Sequence, residues 1–272
     1  MTTLTKLRAG VDPSLQAVDE HGWRRGFANL LRNENRLWWG TRKWLVHLLL
    51  WLLVLNGLIL LIGLTDGPEV GNPVPLYDTL IQVFFSFGAI ATGIGAITTA
   101  QGAIVGEKQL GTAAWILSKP ISRSAFVLAK LVAYAVAFLG LAVVLPSAVF
   151  YGQSQLLAGR APELAPFLAG VGLLALHTLF YLALTLLLGT LFDTRGPISG
   201  VAIGLLFAGF LPPNLLPQAA MLALPWTLGR SAVGLAMGGE LPAIWPIPVA
   251  ATAAWAIVFV GVALWRFGRE EF

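Results

Sequence analysis

Residues 164–192, LAPFLAGVGLLALHTLFYLALTLLLGTLF, contain no Asp, Glu, Lys or Arg. A helix needs roughly 20 apolar residues to cross the hydrocarbon of a bilayer, and this run exceeds that. Five more charge-free runs accompany it, at 44–65, 79–106, 131–159, 196–229 and 241–265, none shorter than 22 residues. The 272-residue chain is 57% hydrophobic and only 11% charged. A soluble domain of this length has too little interior for so much apolar surface, whereas lipid solvates the excess. The expected fold is an all-α integral membrane protein with six transmembrane helices.

The basic residues set the orientation. Fifteen of the 17 Lys and Arg fall in four places: the N-terminal segment, residues 106–130, the link at Arg195 and the C-terminal tail. Six crossings put all four on one side, leaving only Arg160 and Arg230 on the other. By the positive-inside rule both termini are cytoplasmic. The first outer loop, DGPEVGNPVPLYD at 66–78, fits: it has three acids, no base, and Pro and Gly that break helices.

Residues 1–22 form a flexible N-terminal segment. Over 23–43 the apolar positions Trp23, Phe27, Leu30, Leu31, Leu37 and Trp38 share one helical face, and Arg24, Arg25, Arg32 and Arg36 mostly take the other. A basic amphipathic helix with tryptophans lies flat on the cytoplasmic lipid surface, with Trp23, Arg24, Arg25, Trp38 and Trp39 as its anchors. The six-span domain covers 44–266 and the tail 267–272. Pro146 should kink span three near its outer end. In the last outer segment, 212–240, Pro212, Pro213, Pro217 and Pro225 forbid one long helix, so one or two short re-entrant helices are expected. Gly102 and Gly106, and Gly200 and Gly204, are spaced four apart, which lets helices approach closely.

Several functions lack their chemistry here. With no cysteine, thiolate metal sites and disulfides are impossible. The three histidines are far apart in sequence, which leaves no metal-ligand cluster. There is no Gly-x-Ser-x-Gly elbow, and no lysine follows a glycine, so a phosphate-binding Walker loop cannot be present. No catalytic site is expected. His177 is the sole ionisable group near mid-membrane, and a lone His there more often bonds a neighbouring helix than relays protons.

Against this background the stretch 106–130, GEKQLGTAAWILSKPISRSAFVLAK, stands out, with its charges set between two apolar runs. Thr112 can cap a short helix over Ala113 to Ser118, Pro120 stops it, and Ser122 caps the helix of span three. From the residues alone this is either a solvated loop or a docking element.

The run Glu107-Lys108-Gln109-Leu110-Gly111-Thr112, then Leu117-Ser118-Lys119-Pro120-Ile121-Ser122-Arg123 and Lys130, resembles the cytoplasmic signature of ABC type-2 permeases, the membrane subunits of exporter-like ATP-binding cassette transporters. The resemblance implies that 23–43 is a connector helix and that 106–123 carries a coupling helix docking on a separate ATPase subunit. Glu107, Lys108, Gly111, Thr112, Trp115, Lys119 and Arg123 would make that contact. ATP and Mg would be bound by the partner subunit and no cofactor by this chain, and a second permease copy or paralogue would complete the pathway. Other readings stay open: a stand-alone secondary carrier or channel, or a membrane anchor that transports nothing.

Overall fold

The computed structural model describes residues 22–65, 75–211, 215, 217–239 and 243–270. Most of the expected flexible segment 1–22, most of the first outer loop, parts of the re-entrant segment and the last two residues of the tail lie outside the described residues. The described chain is helical, with no strand among its elements. In chain order these are α1 Phe27–Trp39, α2 Lys43–Thr65, α3 Leu76–Ala100, α4 Val105–Gln109, α5 Thr112–Leu117 and α6 Arg123–Ala158. Then follow α7 Leu164–Leu191, α8 Arg195–Ala208, α9 Gln218–Ala223, α10 Leu228–Ala236 and α11 Pro246–Gly268.

Five of these helices, α2, α3 (which continues into α4), α6, α7 and α11, are long and apolar enough to cross a membrane. The run expected as span five instead yields the 14-residue α8. At 1.5 Å per residue α8 is about 21 Å long, short of a ~30 Å hydrocarbon core. It stops at Ala208 because the chain turns at Gly209, where a Cβ would lie 2.5 Å from the Trp226 ring. The short helices α9 and α10 follow; α10 buries Leu228, Ala232 and Ala236 against α7 and α3.

The α7 helix is the central post. It packs against α11, α10, α3 and α8, and carries the longest stretch of buried residues. Its continuous apolar sequence follows from that position, since a helix enclosed by others has no polar face to show. Between α3, α6 and α7 the core is aromatic: Phe84 stacks on Phe150 at 4.1 Å, and Phe85 meets Phe167 edge-on. Gly95 lets Trp51 of α2 press into α3, where a Cβ would lie 2.3 Å from the ring. Phe138 closes over the same indole edge-on at 5.3 Å.

Two spans contain a π-helical turn, Leu52–Gly57 in α2 and Leu139–Val144 in α6. Pro146 lacks an N–H, and the wider turn just before it absorbs the missing bond while the helix runs on to Ala158. Asn56, buried in the α2 turn, uses this irregularity. Its amide donates to Pro146 O at 3.0 Å and to Gln153 Oε1 at 2.9 Å, and Gln153 Nε2 donates back to Asn56 O at 3.0 Å.

Both ends of the described chain meet at one end of the bundle. There Ser122 Oγ donates to Trp23 O at 2.8 Å, and Arg123 Nη1 donates to Gly268 O at 2.9 Å. At the opposite end Arg160 lies over the Tyr77 ring at 3.6 Å and 3.7 Å from Asp78.

Candidate functional site

The polar insert builds a platform from a few local rules. The α3 helix loosens into a turn at 101–104, and α4 continues the same path to Gln109. Gly111 then takes φ 69°, a left-handed conformation that favours glycine, and turns the chain into α5. Gly111 therefore occupies the N-cap position expected for Thr112. The Thr112 hydroxyl already lies inside the helix and donates back to Glu107 O at 3.2 Å. Ser122 does cap α6, accepting from the Ala125 N–H at 3.0 Å.

The α5 helix is two-faced. Ala113 is fully buried and Ile116 and Leu117 are half-buried against the bundle. On the other side Trp115 is 63% exposed and Leu110, just before the helix, is 78% exposed. The Lys119 ammonium sits 3.5 Å from the centre of the Trp115 ring. Gly111, Thr112, Ala114 and Ser118 complete this exposed face.

Beneath α5 the charged residues point inward. Lys130 is 3% exposed; its ammonium lies 2.7 Å from Glu34 of α1 and bonds Glu107 of α4. Lys108 bridges Asp193 at 3.0 Å, in the α7–α8 link, and Glu270 beyond α11. Gln109 Nε2 donates to Asp193 O at 2.7 Å. Phe126 stacks on Phe267 at 5.1 Å, and Ile121 lies against Gly26, where a Cβ would come within 2.9 Å. Through α4, the foot of α5 is thus tied to α1, α6, the α7–α8 link and the end of α11.

The expected site residues divide accordingly. Gly111, Thr112, Trp115 and Lys119 lie together on an outward face. Glu107 and Lys108 turn into the bundle and are used in ion pairs, and Arg123 binds the end of α11. Gly102 and Gly106 make room for the Arg195 side chain, 3.2 Å and 3.5 Å from where their Cβ atoms would be. Gly200 and Gly204 have open space beside them. Trp23, Arg24, Arg25 and Trp39 are exposed. Trp38 is not a surface residue: at 5% exposed it packs against Tyr134 of α6 and His47 of α2. Its indole is worth more in that apolar seam than in contact with water.

Glu34 joins the site beyond the expected residues, although the sequence carries a signal for it. It is the only acid between residues 21 and 65, and it lies one turn from Leu30 and from Trp38 on the apolar face. A charge on a buried face needs a partner. Nothing local names Lys130 as that partner, because the contact spans 96 residues.

Farther in, the Thr92 and Thr178 hydroxyls lie 3.0 Å apart across α3 and α7. His177 is buried one residue away and lines a cavity of about 160 Å³ together with Trp226 and Arg230.

An all-helical bundle with five helices long and apolar enough to cross a membrane defines a multi-pass membrane protein. Residues 41–272 match the family described as ABC-2 family transporter protein, and the chain belongs to that family. It is 27% identical over 272 aligned residues to the probable ABC transporter permease protein NosY of Pseudomonas aeruginosa, covering 89% of this chain and 91% of that one. It is also 22% identical over 211 residues to the uncharacterized transmembrane protein YxlG of Bacillus subtilis, covering 77% and 80% of the two chains.

Proposed function

We propose that this chain is the membrane-spanning permease subunit of an ATP-driven exporter, with α5 as the helix that docks on a separate cytoplasmic ATPase subunit. The observation carrying this reading is the exposed Leu110–Trp115–Lys119 face set on a base tied by ion pairs to α1, α6, the α7–α8 link and the end of α11. An exposed aromatic with a cation over it is the kind of anchor that dominates interface energy. Family membership and the permease relative support the same reading.

Coupling then works as rigid-body transmission. ATP favours a state in which two ATPase subunits approach, and each moves the α5 it holds. The ion pairs of Lys130 and Lys108 carry that movement into α1, α6, the α7–α8 link and the end of α11. Glu107, Lys108 and Arg123 therefore act as struts behind the contact, and Gly111, Thr112, Trp115 and Lys119 as the contact itself. A second copy of the permease, or a paralogue, completes the pathway.

In this reading α8 and the residues after it make a sixth crossing. The meeting of both described ends beside α5, and 13 of the 15 described basic residues on that side, favour six crossings with cytoplasmic termini. Trp23, Arg24, Arg25 and Trp39 rest on the lipid surface there.

The test is a pull-down of the tagged chain from gently solubilised native membranes. A Walker-loop subunit should come down in equal amount, and a Leu110→Ser/Trp115→Ala variant should lose it while still inserting. Recovery of the chain alone, from membranes where other complexes survive extraction, would reject the ATP-driven reading.

A further inference from the structure

At the α5 end of the bundle, α1, α2 and α3 enclose a groove of about 990 Å³. Lys43, Val46, Leu50 and Val54 of α2 follow one another at helical spacing along one wall, and Phe87, Ala91 and Ile94 of α3 line the other. The α2 stripe is about 16 Å long at 1.5 Å per residue. That matches the depth of one leaflet of hydrocarbon, half of a ~30 Å core. Val46 is 62% exposed and Leu50 48% exposed, so this apolar wall has no protein cover among the described residues.

The mouth of the groove is chemically different. Arg42 and Lys43 line it, both exposed, and neither pairs with an acid among the described residues. The one acid in the lining, Glu34, has its charge taken up by Lys130 at 2.7 Å. The groove thus offers two free cations above an apolar channel one leaflet deep.

We infer that this groove binds one anionic phospholipid, its phosphate between Arg42 and Lys43 and one acyl chain running along Leu50, Val54, Phe87 and Ile94. The charge pattern favours lipid over a second copy of the chain. A second copy seated here about a two-fold axis would bring both pairs of cations to one interface, whereas a phosphate supplies the missing charge. The inference rests on the groove alone and is independent of the proposed ATPase partner.

The purified chain is mixed with phosphatidylglycerol or phosphatidylcholine, and bound lipid is counted by native mass spectrometry. One phosphatidylglycerol should be retained per chain in preference to phosphatidylcholine. Arg42→Ala/Lys43→Ala should reduce that preference roughly tenfold to thirtyfold, from about one basic-residue increment each. An unchanged preference in this variant, whose substitutions are on the surface, overturns the assignment. Ala91→Trp, which fills the apolar half, should lower retention of both lipids. Because the chain has no cysteine, Val46→Cys gives a single reporter thiol. Protection of that thiol from maleimide by phosphatidylglycerol supports the lipid site, and its oxidative cross-linking to a second copy in native membranes overturns it.

Discussion

Lys130 shows how much one residue can carry in this protein. It pairs with two carboxylates in a buried seam, so removing it leaves both without their partner. Lys130→Met should destabilise the chain by about 3–5 kcal/mol, the usual cost of breaking a buried pair. Adding Glu34→Gln and Glu107→Gln should recover most of that loss, because the seam is then neutral. Denaturant unfolding of the three proteins in micelles checks both statements, and a Lys130→Met variant as stable as the parent would refute the first. Gly95 gives a steric counterpart. A methyl there meets the Trp51 ring at 2.3 Å, so Gly95→Ala should cost about 1–3 kcal/mol, and Trp51→Leu in the same chain should relieve it. The same unfolding measurement reads the pair as a double-mutant cycle.

The elements differ in how far their local sequence announces them. Ser122 is a legible cap, and the structure uses it as one. At Thr112 the same rule misleads, because the left-handed Gly111 next to it takes over the cap and draws the hydroxyl into the first turn. Gly111→Val should therefore strain the entry to α5 by about 1–2 kcal/mol, as a β-branched residue resists positive φ. Faster amide exchange confined to residues 105–122 would be the sign of it, and unchanged exchange there would contradict the strain. Trp115 belongs to the same element but acts outward. Trp115→Ala should leave unfolding within ~0.5 kcal/mol of the parent, as for exposed sites generally. If α5 docks an ATPase subunit, the same change should weaken that binding by about 2 kcal/mol or more, the cost of truncating an interface anchor. Titration calorimetry with the co-purified subunit separates the two effects.

For the whole molecule, the decisive property is sidedness. The six crossings proposed above would put Ser118 and Arg269 on one side and Glu163 on the other. In the cysteine-free background, Ser118→Cys and Arg269→Cys should react with an impermeant maleimide only after cells are opened. Glu163→Cys should react in intact cells. Labelling of Ser118→Cys and Arg269→Cys from opposite sides would exclude an even number of crossings between them.

Composition and charge spacing were enough to define a helical multi-pass membrane protein and to single out 106–130 within it. Both are sums over many residues, and lipid enforces them without reference to which helix touches which. Membership of the transporter family was legible too, in the motif from Glu107 to Arg123. The sequence could not say that Glu107 and Lys108 face inward, that Trp38 is buried, or that the longest helix described in the run at 196–229 is the 14-residue α8. Each of these depends on a partner far away in the chain: Lys130 and Glu270 for the charges, Tyr134 for the indole, Trp226 for the end of α8. Local periodicity identifies which face of a helix is apolar, but only packing decides what fills the space beside it.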